Sequence, residues 1–510
     1  MQFNSFIFIL CFLPLTLIGY YGFHYLGKDK LAKLYLLAMS LWFYGYFNAS
    51  YLLIICTSIV VNFFLSRRMY VKDGGSQAYR KPLLILGIIF NIALIFYFKY
   101  FDFFLDNLNH AFNADFVLRN ITLPLGISFF TFQQISYMVD SYKGETGDYT
   151  FLDYALFVCF FPQLVAGPIV LHSELISQFR DKSKWKVDYD NLTRGIMLFT
   201  KGLAKKVLIA DVFGKAVDWG FAQAAVATSG ENALAYYEVI VVMLSYTFQI
   251  YFDFSGYSDM ATGLGAMFNF VIPINFNSPY KALSVADFWK RWHMTLTRFL
   301  TRYVYIPLGG NRKGAVRTYI NVMIVFLISG IWHGANWTFI LWGIIHGLGQ
   351  CFNRMTSGIY NGITAKVKES RLGKPVMMLI KAVQWAVTFA FINIAWLLFR
   401  ADSVTQWLEI LNRLFVVKYY HIRPELLEFF RIPKMSYVFN ALHINVPDNF
   451  VLFVGLYAFM GLAFALCLLF KNNYYRPVKR NVLSLVFTSC LLFVCNISLS
   501  TVSTFLYFNF

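Results

Sequence analysis

Apolar stretches long enough to cross a lipid bilayer recur along the whole chain, separated by short polar turns. About 20 mainly apolar residues form a helix that spans roughly 30 Å of hydrocarbon. Stretches of this kind lie at 4–26, 32–48, 50–66, 82–100, 121–141, 151–171, 192–213, 234–252, 255–272, 316–333, 335–352, 376–399, 449–470 and 481–499. The pattern predicts an all-α polytopic membrane protein with roughly 11 to 14 membrane helices and re-entrant elements. Runs rich in proline or glycine, such as the one containing Pro162 and Pro168, are the re-entrant candidates. No internal repeat or linker divides the chain, so residues 1–510 read as a single integral-membrane domain.

Composition excludes a water-soluble globule: 58% of residues are hydrophobic and 14% charged, against about 45–50% and about 25% in soluble domains. The 44 Lys and Arg outnumber 26 Asp and Glu, for a net charge of +18. These cations sit in short loops and form no long tract, which is the positive-inside bias of a membrane protein and not a nucleic-acid surface. Arg67, Arg68, Lys72, Arg80 and Lys81 oppose only Asp73, and 281–317 sets eight basic residues against Asp287. Both loops are expected in the cytoplasm, with 353–375 and 471–480, and 273–317 reads as a cytoplasmic amphipathic and basic segment. The acidic 101–118 loop and the charge-mixed 400–448 are expected outside, the latter as an extracytoplasmic insertion. The first apolar run has no basic residue before Lys28, so it is expected to stay as a span of the cytoplasmic membrane with the N-terminus outside. The seven cysteines lie mostly within apolar runs and read as small core residues.

Signatures of soluble enzymes are missing from the sequence: no G-x-x-x-x-G-K-[ST], no G-x-S-x-G and no H-E-x-x-H. No metal site is expected. The most informative stretch is Ser329 to Trp337, in which His333 stands among Gly330, Trp332, Gly334, Asn336 and Trp337 between two apolar runs. One helix from Thr318 to Cys351 would be about 50 Å long, too long for a simple span, so the glycines should break it. A histidine at such a break is either a polar tip on a tryptophan-anchored interfacial turn or a general base facing an interior cavity. Upstream, 287–300 mixes basic and apolar residues at helical spacing and predicts a surface helix. Phe288, Trp292, Leu296 and Phe299 turn towards membrane or protein. That helix either anchors on lipid or, through Lys290, Arg291, Arg298 and Arg302, receives a phosphate-bearing donor with His293 presented to it. Asp253 and Asp259 lie where two apolar runs meet, either as paired carboxylates at membrane depth or in a solvated helix-capping turn. His24, His110, His172, His346, His421 and His443 read as structural. His346 follows His333 by 13 residues, about 20 Å along a continuous helix, and shares its centre only if the chain folds back.

Five ordered motifs together resemble the membrane-bound O-acyltransferases. They are Phe161 to Pro168, Phe252 to Asp259, Asp287 to His293, Tyr305 to Arg312 and Ile331 to Phe339. The first two are similar to the polysaccharide-modifying branch that carries out alginate O-acetylation. The resemblance implies helices around a central tunnel that passes an acyl group from a cytoplasmic thioester to an acceptor outside. It makes His333 the essential histidine and His293 the second motif histidine, with Asp253, Asp259, Trp332 and Asn336 as tunnel or support residues. It further implies no bound cofactor, acetyl-coenzyme A as the donor substrate, and a polysaccharide acceptor reached through an extracytoplasmic O-acetyltransferase partner. Two other readings stand beside it: D-alanyl transfer from a carrier protein to a cell-wall polymer, and a transporter or flippase without chemistry.

Overall fold

Every regular element among the described residues is a helix. The computed structural model describes residues 1–70, 79–227, 233–369, 373–416, 422–433, 435–441, 443–444, 446–475, 481–499 and 503–506. Lys72, Asp73, His421 and parts of the 353–375 and 471–480 loops lie outside them. Among the described residues, seven helices are long and apolar enough to cross a membrane: Ile7–Tyr25, Ser50–Met69, Arg80–Phe112, Tyr236–Met267, Ala315–His333, Gly373–Arg400 and Asp448–Leu468. Asp29–Gly45, Ile127–Lys143 and Val482–Ser498, of 17 residues each, fall on three more of the apolar runs. The protein is a multi-pass, all-helical membrane protein.

Two expectations need correction. The runs 234–252 and 255–272 are not separate spans, because Tyr236–Met267 is one helix of 32 residues and the most buried of the seven. The supposed turn at Asp253 and Asp259 is mid-helix, since a neighbouring helix supplies cations that sequence proximity does not reveal. Lys206 Nζ lies 2.7 Å from Asp253 and 2.9 Å from Asp211, and Lys205 Nζ lies 2.7 Å from Asp259. Paired carboxylates are tolerable where lone ones are not. The segment 503–506 closes over this cluster. Thr504 O accepts from Lys206 Nζ at 2.9 Å, Leu506 N donates to Asp253 Oδ2 at 3.0 Å, and Ser503 Oγ donates to Asp211 Oδ2 at 2.7 Å.

The second correction concerns 287–300, which is not one surface helix. Val285–Trp289 and Met294–Leu300 are separated by a turn at His293, whose φ of 44° is left-handed. Asn275 holds that turn: its backbone oxygen accepts from Met294 N at 2.9 Å, and its side chain accepts from Thr295 Oγ1 at 2.6 Å. The aromatic face is buried as expected, with Phe288, Trp292, Leu296 and Phe299 all inside.

The 151–171 run is broken, as its prolines suggest. Phe151–Cys159 is followed by the short Phe161–Leu164, an irregular stretch, and then His172–Arg180. The 400–448 insertion carries three short helices, Val404–Arg413, Pro424–Glu428 and Met435–Ala441. Ala315–His333 and Trp337–Glu369 form a hairpin about Gly334. Its arms meet at Gly330 and Gly343, where a Cβ on Gly330 would stand 2.4 Å from the Phe339 carbonyl oxygen and 3.1 Å from Gly343 Cα. Only small residues allow backbones this close.

Candidate active site

The hairpin puts His333 at the last position of its helix, 3% exposed, and the left-handed turn puts His293 beside it, fully buried. The two come from 40 residues apart in sequence and meet on the Trp332 indole. Ring centroids are 5.9 Å apart for His293 and Trp332 and 4.8 Å for Trp332 and His333. Phe254 packs on His293 at 4.9 Å, and Phe399 and Trp342 each lie 5.1 Å from His333. Such an aromatic box fixes both imidazoles and excludes water, as a general base in a membrane interior requires.

Cavities approach this box from two sides. On the face that carries the 281–317 cations, a slot of about 250 Å³ runs from Lys290 past Trp289, Thr297 and Thr301 to Ser329. An adjoining mouth of about 430 Å³ is lined by Lys290, Arg298 and Arg302. On the other side, a cavity of about 740 Å³ is lined by Lys99, Asp102, Asp106, Asn336, Trp337 and Asp402. Beside it a polar cavity of about 590 Å³ also reaches Asn336 and Asp402. Between Ser329 and Asn336 along the chain stand Trp332 and His333.

The sequence-predicted cations separate into two kinds. Lys290 is exposed and has no carboxylate partner among the described residues. Arg298 is clamped on Glu174 at 2.5 and 2.9 Å, Arg291 on Asp287 at 2.8 Å, and Arg302 on Glu145 and on Asp140 at 3.2 Å. Asp140 also takes hydrogen bonds from His172 at 3.2 Å and Tyr303 at 2.8 Å.

Asp253 and Asp259 face Lys206 and Lys205, while their neighbour Phe254 packs on His293. Asn336 caps the second arm of the hairpin by accepting from Thr338 N at 2.9 Å, and its amide donates to the Asp402 carbonyl at 3.0 Å. No group of three or more potential metal ligands occurs among the described residues.

Two residues near His333 were not singled out from sequence as part of its centre. The chain does fold back, so His346 stands across Trp342 from His333, 4.6 Å from that indole, and its Nδ1 accepts from Trp289 Nε1 at 3.2 Å. Lys99 donates to the carbonyls of Trp332 at 2.6 Å and His333 at 3.0 Å. Its signal was available, as an ionisable residue inside the 82–100 apolar run.

A family model described as "MBOAT, membrane-bound O-acyltransferase family" matches residues 9–400, which include the whole box. The chain belongs to the membrane-bound O-acyltransferase family. This acyltransferase is 40% identical to the "Peptidoglycan O-acetyltransferase" of Helicobacter pylori, over 100% of its own length and 97% of that relative's. It is 37% identical to the "Probable alginate O-acetylase AlgI" of Pseudomonas aeruginosa, over 79% of this chain and 73% of that one. It is 26% identical to the "Teichoic acid D-alanyltransferase" of Streptococcus thermophilus, over 56% and 69%. Membership sets aside the reading of a transporter without chemistry.

Proposed function

We propose that this acyltransferase takes an acetyl group from acetyl-coenzyme A at its basic, cytoplasmic face and delivers it to a hydroxyl of a glycan on the other side of the membrane. The observation that supports the reading is the buried pair of His333 and His293 on Trp332, with a slot lined by Lys290 and Ser329 before it along the chain and polar cavities lined by Asn336 after it. The Lys290 mouth suits the phosphates of coenzyme A, and a slot of about 250 Å³ suits its thioester arm. His333 removes the proton of the acceptor hydroxyl, whose oxygen forms a bond to the thioester carbonyl carbon. The tetrahedral intermediate collapses with cleavage of the carbon–sulfur bond, and the leaving thiolate takes the proton from the His333 imidazolium. His293 orients the acyl oxygen during that step.

Peptidoglycan is the first candidate polymer, because similarity to the peptidoglycan-acetylating relative runs through the residues after 400 that the family model leaves out. The hydroxyl attacked belongs either to the polymer or to a serine of an extracytoplasmic partner transferase that completes the relay. Two measurements test the reading. In proteoliposomes, the protein should release free coenzyme A from acetyl-coenzyme A when acceptor is present, and dependence on a D-alanyl carrier protein instead would overturn the donor assignment. In a deletion strain, mass spectrometry of base-labile O-acetyl esters on surface glycans should show restoration by the intact protein and none by His333→Ala at matched abundance.

A further inference from the structure

The end of the Ala315–His333 helix is held in an unusual way. A helix leaves its last carbonyls without internal partners, and the common remedy is a left-handed residue that turns the following amides back onto them. Here the next residue, Gly334, is extended at φ −168° and ψ 158°, so the chain leaves at once for the second arm of the hairpin. The orphan carbonyls are served from another helix. Tyr100 Oη donates to Ile331 O at 2.5 Å, while the neighbouring Lys99 Nζ donates to Trp332 O at 2.6 Å and His333 O at 3.0 Å. The same ammonium reaches Ser128 Oγ at 3.4 Å. Among the described residues no carboxylate lies within ion-pair distance of Lys99.

A hydroxyl or amide would cap those carbonyls without the cost of an ammonium at membrane depth. We propose that Lys99 is a positioning residue for His333: it fixes the two peptide groups from which the imidazole projects and keeps a positive charge beside the site where the acyl oxygen gains negative charge. The cation also complements the negative end of the helix dipole. Lys99 lines the cavity of about 740 Å³ on the side away from Lys290, together with Asn336 and Trp337. Lys99 lines neither of the cavities that Lys290 lines. The inference rests on the reading of His333 as the general base.

The test uses the full-length protein in proteoliposomes with acetyl-coenzyme A. Lys99→Met, which keeps the length and loses the charge, should lower kcat on the order of 100-fold, as a misplaced catalytic group does, with the KM for acetyl-coenzyme A unchanged. Lys99→Arg should retain part of the activity. Lys99→Ala should be rescued by added ethylammonium and not by tetramethylammonium, which has the charge but no N–H to donate. Wild-type kcat in Lys99→Met overturns the proposal. So does a Lys99→Ala protein that no primary amine restores and whose melting temperature falls in step with its activity, since Lys99 is then a folding residue. A His333→Ala protein with normal turnover overturns the general-base reading and this proposal with it. An inactive His333→Ala beside a fully active Lys99→Met overturns the Lys99 proposal alone.

Discussion

Replacing Gly330 with alanine tests whether the hairpin's tight crossing sets the position of His333. The added Cβ would stand 2.4 Å from the Phe339 carbonyl oxygen, against the 3.0 Å that real Cβ atoms respect. The atoms in the way are backbone of the opposite arm, so no side chain can swing aside, and the two helices must separate by at least about 0.6 Å. Overpacking of this kind costs about 1–3 kcal/mol. His333 lies three residues on from Gly330, less than one helical turn, so most of the displacement reaches its ring. Displacements near 1 Å cost on the order of 100-fold in rate, and a loss of roughly 10- to 100-fold is expected for Gly330→Ala. Gly343→Ala, whose Cβ would meet Phe326 O at 2.4 Å, should behave alike. Gly358→Ala is the control: it lies further along the same arm with nothing within 4 Å of its Cβ, and alanine is the better helix former there by about 1 kcal/mol. Acetyl transfer in proteoliposomes and thermal unfolding in detergent read out both quantities. Gly330→Ala with wild-type turnover and melting temperature would refute the argument, because neither arm could then have moved.

Three further outcomes are expected. Lys206→Met leaves the Asp253 carboxylate buried without its closest cation and should cost about 3–5 kcal/mol; the double variant with Asp253→Asn should recover much of the loss in thermal unfolding, and a double variant as unstable as the single would count against the pair. Lys290→Ala should raise the KM for acetyl-coenzyme A with no change in melting temperature, whereas Arg298→Ala should lower the melting temperature by leaving Glu174 without its clamp; the reverse pattern would exchange their roles. Asp140 accepts hydrogen bonds from His172, Tyr303 and Arg302 at once. Asp140→Asn removes the charge those three donors share and should lower the melting temperature, and a variant that melts like the wild type would count against the cluster.

Local features of the sequence carried much of this fold. The Gly330 to Asn336 cluster announced a break at His333, and Pro162 and Pro168 announced the irregular segment. What failed in each case was information held by a distant partner. Asp253, Ser255 and Asp259 read as a polar interruption because Lys205 and Lys206, which make the helix continuous there, lie about 50 residues earlier. The 287–300 segment has no glycine to mark its interruption. The left-handed turn falls on His293 because Asn275, from outside the segment, accepts from Met294 and Thr295 just after it. Lys290, Arg298 and Arg302 line one mouth, but their division into one cation without a carboxylate partner among the described residues and two clamps depends on Glu174, Asp140 and Glu145. His346 was set apart by a distance that holds only for a straight helix.

The closure of 503–506 over Lys206 and Asp253 puts a timetable on assembly. Leu506 binds Asp253 across 253 residues of sequence. At translation rates of about 5–20 residues per second, the carboxylate waits roughly 13–50 s for that amide. Through this interval Ser503, Thr504 and Leu506 are missing from the lining of the polar cavity. Its carboxylates and lysine meet only one another, water or a chaperone. The contacts of 503–506 thus form after those between Lys206 and Asp253, and biogenesis factors have a window of seconds in which to act on this cavity.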